Sequence, residues 1–281
     1  MPIGLESVSY RFGSWSGRPA SEASGSAFSS VPADSVDHAF ILFGAFAGGF
    51  VSGLAGFGTG LIALGIWLYV LAPAVAACLV VICSVVSQLQ TIPLIWHAID
   101  RRIVAPFLIG GLAGVPFGAA LVVDLDPSWF RLIVGIVLVV FSAVMLRGGL
   151  RRPIAANLPA VDALIGFGGG VLGGLTGLSG PLPTMWATMR AWDKDRRRSV
   201  FQSFNLTILL ATLLAYAIHG VLTADLWPLV LQALPGTLLG SWLGARVYRR
   251  LPEAPARFVV LVVLACSGVT LIVTAALQSF R

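Results

Sequence analysis

Two glycine-dense runs, Gly53-Leu54-Ala55-Gly56-Phe57-Gly58-Thr59-Gly60 and Gly174-Leu175-Thr176-Gly177-Leu178-Ser179-Gly180-Pro181, lie 121 positions apart, each inside a long apolar stretch. Such runs break a helix, and in a bilayer every freed peptide group needs a partner. Broken backbone is tolerated at that depth only where protein buries it or where it lines a wet cavity. Two breaks at matching places in two halves of a chain point to the substrate site of a membrane transporter.

The apolar setting of the breaks is not in doubt. Between Asp37 and Asp100 lie 62 residues without a single Asp, Glu, Lys or Arg, whereas one spanning helix needs only about 20 apolar residues. With 11% charged residues and 57% hydrophobic ones, the chain falls far below the roughly 25% charge of a soluble domain. It reads as an all-α polytopic membrane protein. The net charge of +6 does not imply nucleic acid, because the arginines cluster in short loops where orientation in the membrane explains them. Cys78, Cys83 and Cys266 sit in apolar segments without metal spacing, which assigns them to packing.

Residues 1–37 are rich in Ser, Gly and Ala and read as a disordered tail without the pattern of a removable signal peptide. The rest divides into a first membrane repeat (38–150), a basic linker (151–159) and a second membrane repeat (160–281). Gly110, Gly114 and Gly118 match Gly236, Gly240 and Gly244 at an offset of 126, and His97 and His219 each close the segment before that ladder. Matching elements in the same order indicate an internal repeat. Each half is expected to hold one Gly-broken segment (about 39–72 and 161–190) followed by three spanning helices, at 74–97, 103–123 and 128–147, then 199–221, 226–246 and 257–278. The broken segments, about 30 residues interrupted in the middle, suit two arms that enter and return to the same side.

Loop charge gives the direction. The stretches around Arg101, 147–152, 190–198 and 246–257 are rich in arginine, while the loops at Asp124 and Asp225 carry no basic residue. The positive-inside rule makes the first group cytoplasmic. Corresponding loops then have opposite character, so the two repeats are expected to be inverted, with both chain ends outside.

The ladders read as close-packing surfaces of the small-xxx-small kind. The two runs read as the site: Gly56, Phe57, Gly58 and Thr59 in one, Gly177, Leu178, Ser179 and Gly180 in the other. Half-helix N-termini and freed N–H groups carry partial positive charge and favour an anion without a buried arginine. Ser84, Ser87, Gln88 and Gln90, with Thr184, Gln202, Ser203, Asn205 and Thr207, can form a neutral polar lining. Ser87, Gln88, Gln202 and Asn205 are the prime candidates, because a hydroxyl or amide donates to an oxyanion without a fixed charge. His97 and His219 lie near membrane surfaces and read as interfacial. No Asp or Glu is placed deep in a span, which weighs against a carboxylate proton carrier.

The motifs Gly53 to Leu61 and Gly174 to Pro183, the two apolar halves and the basic loop after the second motif resemble the sulfite exporter TauE/SafE family. The first motif departs from the family's habit of a nearby proline, having Ala63, Leu64 and Gly65 instead. The resemblance implies a multi-pass permease of the bacterial inner membrane that moves sulfite or organosulfonates outward, its partners being a small anion and the lipid bilayer. Alternating access at a midplane site between the two breaks is the expected mechanism; a passive anion channel and a non-transporting scaffold subunit are the alternatives. An intramembrane enzyme has no Ser/His/Asp set, carboxylate dyad or metal cluster to work with, and no cofactor is called for.

Overall fold

The computed structural model describes residues 35–94, 99–147, 158–190, 192–248 and 253–279. Residues 1–34, His97 and linker residues 148–157 lie outside that set. Among the described residues, ten α-helices follow one another: α1 (Ser35–Ala55), α2 (Thr59–Trp67), α3 (Pro73–Thr91), α4 (Arg101–Asp124), α5 (Pro127–Leu146), α6 (Pro159–Thr176), α7 (Pro181–Thr188), α8 (Lys194–Ile218), α9 (Leu226–Tyr248) and α10 (Glu253–Ser279). No strand occurs among the described residues. Seven of the helices are long and apolar enough to cross a membrane, and the protein is a multi-pass membrane protein.

The Gly-broken segments form two helical hairpins with unequal arms. α2 folds back along α1: Gly48 has no room for a side chain beside Thr59, whose carbonyl oxygen would lie 2.7 Å from a Cβ there, and Trp67 Nε1 donates to the Ile41 carbonyl at 3.2 Å. α7 folds back along α6 in the same manner, with Leu182 against Gly168 and Trp186 Nε1 donating to Asp162 Oδ1 at 2.6 Å. Ile41 and Asp162 are 121 positions apart and Trp67 and Trp186 are 119 apart, so a tryptophan from the short arm closes the open end of each hairpin at a corresponding acceptor.

The glycine ladders explain how the hairpins are held. Side chains at Gly110, Gly114 and Gly118 of α4 would overlap the carbonyl oxygens of Ala163, Phe167 and Val171 on α6. At Gly236, Gly240 and Gly244 of α9 the facing carbonyls are those of Leu42, Phe46 and Phe50 on α1. Both pairs run parallel, since the facing residues advance together. The fit is reciprocal: Gly49 of α1 faces the Thr237 carbonyl and Gly174 of α6 the Val115 carbonyl, each oxygen 2.5 Å from where a Cβ would stand. Bare backbone on both sides allows this approach, which maximises dispersion contact where lipid offers no hydrophobic drive. Each hairpin therefore packs on the ladder helix of the other half.

Two further pairs of corresponding helices cross antiparallel. On α5 and α10, Gly135 faces Gly268 and Ile272, while Gly268 faces Gly135, Leu138 and Val139; one index falls as the other rises. On α3 and α8, Gln88 meets Gln202, and Cys78 lies beside Val221 just past the end of α8. α3 is the central element, with 72% of its span buried inside the protein against 39–44% for the other six.

This packing makes a direct forecast. Gly114→Ala sets a methyl group against the Phe167 backbone, which cannot yield as a side chain can, and overpacking of this kind costs about 1–3 kcal/mol. Thermal unfolding in detergent is expected to show a clear fall in Tm, larger than for Gly65→Ala, whose Cβ would meet only the Ser267 side chain at 3.1 Å. Equal losses would mean that the α4–α6 seam is not tight.

Candidate functional site

Each hairpin turns through a glycine in the left-handed region. Gly56 has φ 83° and Gly58 φ 110° in the first tip, and Gly177 has φ 74° in the second, whereas no non-glycine residue has positive φ among those described. A Cβ in that conformation costs roughly 1–2 kcal/mol, so the sequence places the reversals by placing these glycines. The tips touch. The Phe57 ring lies against Gly180, and the Leu178 side chain against Gly60, each within 2.9 Å of where a Cβ would stand. Val80 of α3 stands beside both Gly60 and Gly177. Phe57 is also wedged edge-on between Phe141 and Phe201, with ring centroids 5.7 and 5.3 Å away.

Breaking a helix orphans carbonyls at its C-terminal end and amides at the next start. The carbonyls of the first tip are taken up by a chain of buried side chains. Gln88 Nε2 donates to the Gly56 carbonyl at 2.8 Å; Gln202 Nε2 donates to Gln88 Oε1 at 3.2 Å and to Thr91 Oγ1 at 2.9 Å; Arg198 Nε donates to Gln202 Oε1 at 3.0 Å. Arg198 Nη2 also reaches the Gly53 carbonyl at 3.3 Å. The arginine has only N–H groups to offer, so Gln202 presents its oxygen to Arg198 and its N–H₂ to Gln88, and Gln88 in turn aims its own N–H₂ at the tip. At the second tip Tyr216 donates its hydroxyl to the Gly174 carbonyl at 2.7 Å, Thr176 Oγ1 accepts from the Leu178 amide at 3.3 Å, and Ser179 bonds to Asn205.

The amide side is less satisfied. Neither α2 nor α7 has a side-chain cap at its start. Pro181 and Pro183 have no N–H, so α7 opens with fewer backbone donors than α2, which begins with Thr59, Gly60 and Leu61. Thr59 Oγ1 and Ser87 Oγ are buried without a hydrogen-bond partner among the described residues, and an unmade bond of this kind costs about 1–3 kcal/mol.

The structure thus brings together Gly56, Gln88 and Gln202; Phe57 and Gly180; Leu178 and Gly60; and Ser179 and Asn205. Gly58 starts α2 without a side-chain cap. Gln90 points away from the tips, bonding to Ser241 of α9, and Ser203 accepts a back-bond from Thr207 within α8. His219 is exposed at the end of α8.

Two charged residues lie where the sequence reading, which assigns the arginines to membrane-orienting loops, does not expect them. Arg198, grouped with the loop 190–198, belongs to α8 and is 2% exposed; helix α8 starts earlier than position 199, with Asp193 capping it, and this carries Arg198 into the protein. Its spacing of four from Gln202, one helical turn, is the signal that places both on one face. Asp162 is also buried, at the first turn of α6, 3.8 Å from the buried Arg190, whose guanidinium lies 5.5 and 5.0 Å from the Trp186 and Trp192 ring centroids. That cluster ties together the ends of the second hairpin, a task that Trp67 and the Ile41 carbonyl perform without charge in the first.

Among known protein families, the model described as sulfite exporter TauE/SafE matches residues 40–271, from the first hairpin into the last helix. Neither the curated proteins nor the solved structures compared with the chain gave a match.

Removing the donor that serves the tip tests the chain of bonds. Gln88→Leu leaves the Gly56 carbonyl without its donor and takes from the Gln202 amide one of its two acceptors, a loss of about 1–3 kcal/mol that thermal unfolding in detergent should reveal. Gln90→Leu, on the same helix but bonded away from the tips, is expected to lose less; the reverse order would remove Gln88 as the support of the break.

Proposed function

The chain belongs to the sulfite exporter TauE/SafE family of membrane transporters, and from that premise we propose that it carries a small oxyanion, sulfite or an organosulfonate, outward by alternating access at the point where the two hairpin tips meet. The observation that carries this reading is the contact of Phe57 with Gly180 and of Leu178 with Gly60, which brings the starts of the two short arms to one centre.

The chemistry suits a tetrahedral or pyramidal oxyanion. The amides at the start of α2 and the Thr59 and Ser87 hydroxyls can all donate, and helix N-termini attract negative charge. Because the lining donors are largely neutral, they release an anion more readily than a fixed ring of charges does.

The halves are read as inverted repeats. Corresponding helices α3 and α8, and α5 and α10, pack antiparallel, which is what inversion requires, and the arginine-rich loops assign the α8 start to the cytoplasm. Inversion supplies two states of near-equal energy that open the same centre to opposite faces. A continuous pore fits less well, since Phe57 and Leu178 fill the centre and are 7% and 2% exposed. One negative charge leaving a cell gains about 2.3 kcal/mol per 100 mV of inside-negative potential, so export does not require a second ion.

Purified protein in liposomes, loaded with sulfite and placed under an imposed potential, is expected to give saturable efflux with counterflow exchange. Gly56→Leu and Gly177→Leu, each needing a left-handed leucine at roughly 1–2 kcal/mol and a reshaped tip, are expected to abolish it. No movement of sulfite, thiosulfate or C2 sulfonates by the wild-type protein would remove this substrate class, flux without saturation or counterflow would favour a channel, and unimpaired flux in both leucine variants would remove the tips from the pathway.

A further inference from the structure

The two hairpins offer an internal comparison. Gly53 and Gly174 are equivalent positions, three residues before Gly56 and Gly177, and each carbonyl lies in the last turn of its helix, at the negative end of the helix dipole. Both receive a donor from the same helix, α8, but from opposite ends of it: Arg198 at Gly53 and the Tyr216 hydroxyl at Gly174. The 18 residues between those donors span roughly 27 Å of helix. One tip is thus closed by a cation and the other by a neutral phenol.

Tyr216 shows that holding this carbonyl takes no charge. A guanidinium 2% exposed within a membrane protein carries a desolvation cost that a neutral donor avoids. The first half has no matching cation either, because the positions 121 and 122 before Arg198 are Ala77 and Ala76. Arg198 therefore brings to one end of the path something that the helix cap does not explain.

We propose that Arg198 is the anion-binding residue of the loading side and that the neutral Tyr216 end is the release side. The proposal rests on the transport reading above and adds a substrate contact and a direction to it. The arginine-rich loop at the start of α8 assigns Arg198 to the cytoplasmic face, where an exporter takes up its cargo. A guanidinium fork matches two oxygens of a sulfite or sulfonate, and a charge-assisted pair of bonds is stronger than its bond to the Gly53 carbonyl. As the fork turns to the anion, the Gly53 carbonyl loses its donor, and the chain through Gln202 and Gln88 to the Gly56 carbonyl loses its anchor. Binding on that side loosens the first tip, so loading and opening are one event. At the other end Tyr216, the equivalent donor, carries no charge to hold the anion back.

The test is sulfite transport by oriented proteoliposomes, with KM measured separately from each face for the wild type, Arg198→Lys and Arg198→Gln. Loss of a charge-assisted bond predicts that Arg198→Gln raises KM from the cytoplasmic face about tenfold or more, with KM from the other face unchanged and Arg198→Lys in between. Equal loss of Vmax from both faces at unchanged KM would make Arg198 a plain helix cap and overturn the proposal. A second measurement needs no variant: sulfite is expected to slow phenylglyoxal modification of Arg198 in the wild-type protein, followed by peptide mass spectrometry. Sulfite transport by the wild type without such protection would sink this inference alone, whereas no wild-type transport of any sulfur oxyanion would sink the transport reading and this inference with it.

Discussion

The constraint on which the structure depends is the fate of the peptide groups freed where two helices stop inside a membrane. An unpaired group there costs several kcal/mol because no water can take it. Among the described residues, Gln88 of α3 serves the Gly56 carbonyl, and Arg198 and Tyr216 of α8 serve those of Gly53 and Gly174. That explains why these two helices cross at the centre and carry polar side chains at buried positions. The amide ends are left open, with no side-chain caps at α2 and α7. Negative ends closed by protein and positive ends left without side-chain caps are the backbone arrangement on which the proposed anion site rests.

The second organising force is close packing through glycine. Because the ladder of each half grips the hairpin of the other, the first hairpin is fixed to α9 and the second to α4. The units able to move rigidly are therefore mixed: one joins α1 and α2 with α9, the other α6 and α7 with α4. Packed backbone does not deform smoothly, so relative motion falls between these units. The contact lying between them at the centre is made by the tips, through Phe57, Gly180, Leu178 and Gly60. In the proposed alternating access, a small rotation there would separate or join the tips and change which face the centre can reach.

Much of this was legible in the sequence because it rests on local pattern. The paired glycine runs mark the turns, since only glycine adopts the φ of 83° at Gly56 and 74° at Gly177 without strain. The glycine ladders mark seams for the same reason of bulk, and the re-entrant reading of the broken segments matches the two hairpins. What pattern could not give is which seam meets which, because the swap of hairpins between halves is a long-range choice. Arg198 was read as a loop residue because charge in a membrane protein usually marks a loop, and here tertiary burial overrode that rule. Nor does pattern give the direction of the bonds at Gln88 and Gln202: Gln88 donates to Gly56, and Gln202 to Gln88 and Thr91, a direction that depends on the neighbouring arginine.

The claim at the centre of this account is that the two hairpin tips meet and must part for transport. Cysteines at Phe57 and Gly180, introduced together in a protein lacking Cys78, Cys83 and Cys266, probe it directly, since the two Cβ atoms would lie 3.4 Å apart, close to the usual Cβ separation in a disulfide of about 3.5–4.5 Å. Oxidation is predicted to cross-link the pair within one molecule and stop sulfite flux in liposomes, with reduction restoring it. Failure to cross-link, or full flux through the cross-linked protein, would contradict the account.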